Sequence, residues 1–145
     1  MRRPSFFRMT GPRLDPRRAR LFAVLWGLFL LTLTSWPSPP EVPVVSSIPN
    51  FDKVVHATLY GVEGFLLYFA IRWKGRPDWR RALVIGVILA VWGTLDEIHQ
   101  LWIPGRSAEV GDALTDTVAG FGGALLALLG SRRREAPGAT SSLRS

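Results

Sequence analysis

Residues 82–103 read ALVIGVILAVWGTLDEIHQLWI, and this stretch decides the fold class. A helix needs about 20 residues to cross roughly 30 Å of hydrocarbon, and the stretch is long and apolar enough to do so. It nevertheless contains Asp96, Glu97 and His99 towards its end. An ionisable group at the centre of a bilayer costs about 2.5–3.5 kcal/mol on insertion scales. The stretch therefore predicts a membrane-spanning helix whose ionisable residues serve a function.

Three other apolar blocks of similar length lie along the chain. They run approximately over Ala19–Trp36, Val54–Trp73 and Ala108–Leu129. Together the four blocks predict an all-α bundle of four transmembrane helices over residues 19–130. We expect residues 1–18 to form a basic cytoplasmic tail, residues 37–49 to form an extended Pro-rich outer loop, and residues 131–145 to form a disordered cytoplasmic tail.

The basic residues alternate between the connections and so predict the orientation. Nearly all of them lie before the first block, between the second and third, or after the fourth, whereas Lys53 and Arg106 alone lie in the other two connections. Cytoplasmic segments are enriched in Lys and Arg, so both termini should be cytoplasmic. This pattern accounts for the net charge of +7 without a nucleic-acid partner. The first block could also be a cleaved signal peptide, but no small-x-small cleavage site follows it.

Polar residues of the last three blocks are expected at matching depths below the outer face. With a rise of about 1.5 Å per residue, one group lies about 6 Å deep, a second about 12 Å deep, and Glu63 about 16 Å deep, near the midplane. The first group is His56, His99, Gln100 and Asp112, and the second is Asp96 and Asp116. The sequence thus predicts a multi-pass protein of the cell membrane with a polar site on its extracytoplasmic side.

Helical phase indicates which of these residues share a face. At about 100° per residue, His56 and Glu63 align on the second block, with Tyr60 at the border of their stripe. Asp96, His99 and Gln100 align on the third block, whereas Glu97 points elsewhere. Asp112 and Asp116 align on the fourth block. Because these stripes should face one another, we predict a ligand-binding pocket open to the outside, with Lys53 and Arg106 at its mouth. Glu97 is kept among the predicted ligand-binding residues beside Asp96.

Several of these residues have purely structural alternatives. Asp112 lies where a carboxylate caps the first turn of a helix. Arg106 can simply pair with an acid at the rim, and His56 and His99 can be hydrogen-bonded packing residues. Asp96, Asp116 and Glu63 lie too deep for capping or snorkelling and are the best functional candidates.

Three motifs in order resemble the VanZ-like family. The first is Asp52-Lys53-Val54-Val55-His56 with Tyr60, and the second is residues 96–100, DEIHQ, followed by Pro104-Gly105-Arg106-Ser107. The third consists of Asp112, Asp116, Thr117, Gly120 and Gly123. The resemblance covers about residues 50–130 and implies a small integral membrane protein of four or five helices. The family is named for a protein associated with resistance to the glycopeptide teicoplanin.

Two classes of function are compatible with the predicted pocket. In the first, the protein binds a lipid-linked cell-envelope precursor or a glycopeptide at the outer face of the bilayer. In the second, it is a membrane enzyme, a hydrolase or transferase, in which His56 or His99 acts as general base beside Asp96 or Asp116. No cofactor is predicted, and His56, His99 and Asp96 are only weak metal-ligand candidates because no His-Glu-x-x-His motif is present. A proton relay through Glu63 is disfavoured, because no ionisable residue continues the path towards the cytoplasm.

Overall fold

The computed structural model describes residues 15–38, 49–73 and 78–135, and these residues fold into four helices. The helices are α1 (Pro16–Thr34), α2 (Phe51–Ala70), α3 (Trp79–Gln100) and α4 (Val110–Glu135). The prediction of an all-α fold with four helices is therefore confirmed. The predictions for the two tails lie mostly outside the described residues, as does most of the Pro-rich loop.

The helices begin and end at different residues from the apolar blocks. Asp15 caps α1 by accepting a hydrogen bond from the Arg17 backbone N–H at 3.1 Å, and Asp78 caps α3 in the same way through Arg81. A carboxylate oxygen at this position satisfies a free N–H of the first turn, which is why both helices begin before the apolar residues do. At the other end of the chain α4 continues to Glu135, so the helix extends into the segment predicted as a tail.

The outer surface of the bundle is apolar, whereas its interior contains charged residues. Large side chains such as Leu95, Val87 and Val118 are 58–70% exposed, while Asp116 is fully buried. Soluble monomers rarely expose apolar patches of more than a few hundred Å². Of the described helices, α3 and α4 are long and apolar enough to cross a membrane. This surface and these two helices indicate a membrane-embedded bundle.

Helices α1 and α2 are not among the helices that are long and apolar enough to cross a membrane, because charged residues shorten their uncharged stretches. Residues Arg17, Arg18 and Arg20 open α1, and Glu63 interrupts α2.

Glycines bring α2 and α4 into backbone contact at the centre of the bundle. A Cβ added at Gly64 would overlap the backbone carbonyl of Gly120, and one added at Gly123 would overlap the carbonyl of Gly61. Small residues at such positions allow membrane helices to pack closely. Because the backbones are this close, side chains one or two turns away on the same helices also meet.

The remaining helices pack around this pair. Helix α1 lies on α2 through Ala19, Ala23 and Ala70, and the Trp26 indole donates a 2.9 Å hydrogen bond to the carbonyl of Leu59. Helix α3 lies against α4, where the ring of Phe121 fills the space beside Gly86. The C-terminal ends of α1 and α3 lie beside the N-terminal ends of α2 and α4. We call this end of the bundle the polar end.

Candidate functional site

Three helices contribute to a buried group at the polar end, His56, Glu97 and Asp116, which we call the histidine cluster. Nδ1 of His56 lies 2.9 Å from Oδ1 of Asp116, across the interface between α2 and α4. Ligand-type atoms of the three side chains all lie within 4.8 Å of one another. Glu97 and Asp116 are buried and His56 is half-buried. The group is therefore compact enough to orient an imidazole as a base, or to surround one cation.

A second set of side chains, Thr34, Tyr60 and Asp96, forms what we call the Asp96 network. The Thr34 hydroxyl donates to Oδ1 of Asp96 at 2.7 Å, and the Tyr60 hydroxyl donates to Oδ2 at 3.2 Å. Both carboxylate oxygens are thus occupied by donors from α1 and α2. The Tyr60 ring is parallel to the His56 ring, with centroids 6.4 Å apart. Asp96 consequently joins three helices and supports the histidine cluster from the side, rather than presenting a free oxygen to a ligand.

The rim of the site is formed by Asp52, Lys53, Glu109 and Asp112, which we call the lysine cluster. The Lys53 ammonium lies 2.6 Å from Asp112 and 2.7 and 2.8 Å from Asp52 and Glu109. Lys53 comes just before the predicted second span, which starts at Val54. Hydrogen bonds to three carboxylates raise the pKa of Lys53, so its side chain stays charged. The bond to Asp112 has the largest effect, followed by those to Asp52 and Glu109. In turn, the hydrogen bond from Lys53 lowers the pKa of Asp52.

Three of the predicted ligand-binding residues do not join the histidine cluster. They are Arg106, His99 and Gln100. The Arg106 guanidinium donates at 2.6 Å to the carbonyl of Leu33, in the last turn of α1, so it closes that helix and does not form an ion pair with a described acid. His99 is half-buried, with Nε2 3.2 Å from the Ser35 hydroxyl. Gln100 is buried, and its Nε2 lacks a hydrogen-bond partner among the described residues.

Glu97 points to a different face of α3 from Asp96, as predicted, but this second face is buried as well. Glu97 is only 6% exposed, and its Oε2 accepts a 2.6 Å hydrogen bond from the backbone N–H of Glu109. Helix α3 is covered on two sides, so Asp96 turns towards α1 and α2 while Glu97 turns towards α4. Two adjacent residues about 100° apart can thus both be interior.

Glu63 does not lie beneath the histidine cluster. It lines a cavity of about 520 Å³ between α1, α2 and α3, together with Arg20, Arg72 and Trp92. Oε2 of Glu63 is buried without a hydrogen-bond partner among the described residues. Glu63 lies 11 residues after Asp52 on α2, so it is beyond the polar end, and it lines the same cavity as Arg20 and Arg72. Glu63 is thus separate from the other candidate residues.

The structure gathers His56, Glu97, Asp112, Asp116 and Lys53 into adjoining clusters, but it packs them against one another. The 520 Å³ cavity and a second one of about 460 Å³ beside Leu114 and Val118 are not lined by these residues. Neither of these two cavities corresponds to the open pocket expected from the stripes. At the rim, the side chain of Lys53 is 26% exposed and that of His56 is 12% exposed.

Comparison with known families matches residues 12–131 to the VanZ/LLP1 family model. The chain belongs to the VanZ/LLP1 family. The match includes every residue of the three clusters and all of α1 and α2, so the family domain extends beyond the 50–130 segment in which the motifs lie. No curated protein and no solved structure matches the chain.

Two polar residues of the site in this VanZ/LLP1 domain were missed by sequence reasoning. Glu109 forms part of the lysine cluster and donates its backbone N–H to Glu97. Its position just before α4 and three residues before Asp112 was a usable signal, since carboxylates favour helix starts. Thr34 binds Asp96 from 62 positions away, and a single hydroxyl at the end of an apolar block carries no such signal.

Proposed function

We propose that this VanZ/LLP1 protein crosses the cell membrane four times, with both termini in the cytoplasm and the polar end outside. There it binds the polar part of a lipid-linked cell-envelope molecule or a glycopeptide. The observation that supports this most directly is the division of charge along the bundle. The histidine and lysine clusters occupy one end, whereas Arg20, Arg72 and Arg81 occupy the other. Basic residues favour the cytoplasmic side.

The lysine cluster provides the recognition surface in this proposal. Lys53 is held by three carboxylates at the rim, and the side chains of Asp52 and Glu109 are 53% and 54% exposed, so acceptors for the hydroxyl or amide groups of a polar ligand lie at the surface. A lipid-linked molecule carries its polar group at the membrane surface, where this rim lies. Its lipid tail would run along the apolar exterior of the bundle, which includes Leu114 and Val118.

Orientation is tested by cysteine labelling, because the chain contains no natural cysteine. Glu109→Cys places a thiol at the polar end, and Arg133→Cys places one at the other. We expect a membrane-impermeant maleimide to label the first variant in intact cells and the second only after lysis. The reverse pattern would overturn the orientation.

Function is tested by comparing His56→Gln and Lys53→Gln with Thr94→Ala, an exposed position on α3. At equal membrane levels we expect the first two variants to change sensitivity to envelope-directed antibiotics such as teicoplanin and to lose co-purifying envelope lipid, with Thr94→Ala resembling the parent. Unchanged sensitivity and unchanged lipid content in both site variants would mean that the polar end is only structural.

A second candidate function, that of a membrane hydrolase or transferase, is favoured by the contact between His56 and Asp116. A carboxylate that accepts from one imidazole nitrogen orients the ring and leaves the other nitrogen to act as a general base. Incubation of purified protein with lipid-linked envelope precursors, followed by mass spectrometry of the lipids, separates this function from binding. New lipid products that disappear in His56→Gln would establish catalysis.

A further inference from the structure

We propose that the histidine cluster binds one divalent first-row metal ion, Zn²⁺ or Mn²⁺, with His56, Glu97 and Asp116 as its protein ligands. The three ligand-type atoms lie within 4.8 Å of one another. Two atoms bound to the same Zn²⁺ at about 2.1 Å are at most about 4.2 Å apart, so small side-chain rotations bring all three into range. One imidazole and two carboxylates form a donor set that suits Zn²⁺ or Mn²⁺ better than Ca²⁺, which prefers oxygen alone.

The charge balance of the cluster favours a bound cation. Glu97 and Asp116 are buried together, and neither forms an ion pair with a Lys or Arg among residues 15–38, 49–73 and 78–135. Two buried carboxylates repel each other strongly at low dielectric, and a buried charge is normally paired or bound to a metal. His56 can neutralise at most one of them by taking up a proton.

The lysine cluster shows the contrast within the same structure. Its carboxylates, Asp52, Glu109 and Asp112, also lie close enough to share an ion. However, the Lys53 ammonium already contacts all three at 2.8 Å or less. The lysine cluster thus contains a protein cation, the Lys53 ammonium, whereas the histidine cluster has no Lys or Arg among the described residues.

Buried oxygens of the histidine cluster are also free to bind an ion. Oδ2 of Asp116 and Oε1 of Glu97 are inaccessible to solvent and have no hydrogen-bond partner within the described part of the chain. An unsatisfied buried oxygen is costly, so such atoms commonly indicate an ion or water. A Cβ added at Gly93 would lie 3.1 Å from Oδ2 of Asp116, so the absence of a side chain at this position leaves room for the carboxylate.

The carboxylate of Glu97 is held as metal ligands usually are. Oε2 of Glu97 is fixed by the backbone N–H of Glu109, which is not one of the proposed ligands. Such outer contacts set the direction of the ligating atoms. Three protein ligands leave at least one coordination position open. If the proposed function is right, that position accepts a phosphate or carboxylate oxygen of the envelope ligand; metal binding itself does not depend on that function.

The test uses the full chain purified in detergent, stripped with a chelator and then titrated separately with Zn²⁺, Mn²⁺ and Ca²⁺. We expect about one equivalent of Zn²⁺ or Mn²⁺ by elemental analysis after desalting, a metal-dependent rise in melting temperature, and no comparable effect of Ca²⁺. Removal of a supporting residue around a metal typically costs 10–100-fold in affinity, so His56→Gln, Glu97→Gln and Asp116→Asn should each lose about 100-fold or more.

Asp78→Asn is the matched control, because it removes a carboxylate at the other end of α3 while Asn can still cap the helix. It should bind metal like the parent. If Asp116→Asn fails to fold, the two other variants and the titration of the stripped parent still decide the question. A stripped parent that takes up less than about a tenth of an equivalent of both metals, with no shift in melting temperature, would overturn the proposal in favour of a protonated His56. Stoichiometric metal without any envelope ligand would instead count against the proposed function alone.

Discussion

Nδ1 of His56 and Oδ1 of Asp116 lie 2.9 Å apart, although 60 positions separate the two residues in the sequence. The pair joins α2 to α4 close to the glycine contacts between the same helices. It is therefore both a packing contact and the centre of the candidate site. Experiments on the bundle must separate these two roles.

The first prediction concerns the coupling between these two residues. In a double-mutant cycle with His56→Gln and Asp116→Asn, we expect a coupling of about 0.5–1.5 kcal/mol, the range measured for hydrogen bonds between membrane helices. The measurement is the free energy of unfolding in mixed detergent micelles without added metal. Additive effects of the two substitutions would show that the contact contributes little to the fold, and Thr94→Ala controls for a general effect of substitution.

The second prediction concerns the helix contact itself. Gly64→Ala and Gly123→Ala should each lower the free energy of unfolding by about 1–3 kcal/mol or more, because the added methyl group meets a backbone carbonyl that cannot rotate away. Gly122→Ala is the matched control on α4, since nothing lies within 4 Å of its added Cβ. Equal stability of the Gly122 and Gly123 variants would contradict the observed packing of α2 on α4.

The third prediction concerns Lys53 and is dependent on pH. Lys53→Met leaves three carboxylates without their cation, so we expect a loss of about 1–3 kcal/mol near pH 7. The three carboxylates repel one another in the folded variant while they are ionised, and this repulsion disappears as they take up protons at low pH, so stability is lost as pH rises. The deficit relative to the parent should therefore shrink towards pH 4.

Thermal unfolding of the parent and Lys53→Met across this pH range measures the effect. Adding Glu109→Gln to Lys53→Met should restore part of the lost stability near pH 7, because one of the repelling charges is removed. A deficit that stays constant from pH 4 to pH 7 would show that Lys53 acts through packing of its alkyl chain instead.

The fourth prediction concerns Glu63. Glu63 is only 8% exposed and its buried Oε2 has no hydrogen-bond partner among the described residues, so Glu63→Leu should raise the free energy of unfolding by about 1–3 kcal/mol. Glu63→Gln keeps the shape and should lie between Leu and the parent. A lower stability of the Leu variant in native lipid, but not in detergent, would show that a lipid group binds to this carboxyl.

The sequence by itself determined the four helices, the segregation of charge and the motifs of the family. Apolar length and the 3.6-residue period act within one helix, so Asp112 and Asp116 could be placed on one face of α4 without knowledge of the rest. The same local rule separated Glu97 from the face of Asp96, but it could not show that this second face is also buried, because burial depends on how many neighbours cover a helix and α3 is covered on two sides.

Only the tertiary structure decided which polar groups meet. Helical phase does not specify the rotation of one helix against another, and this rotation is set by contacts such as Gly64 against Gly120. Those contacts bring His56, Glu97 and Asp116 together and direct Asp96 towards Thr34 and Tyr60. They also leave Glu63 on a different surface. Close backbone packing between helices distant in sequence is thus what turned a set of aligned polar stripes into one compact site.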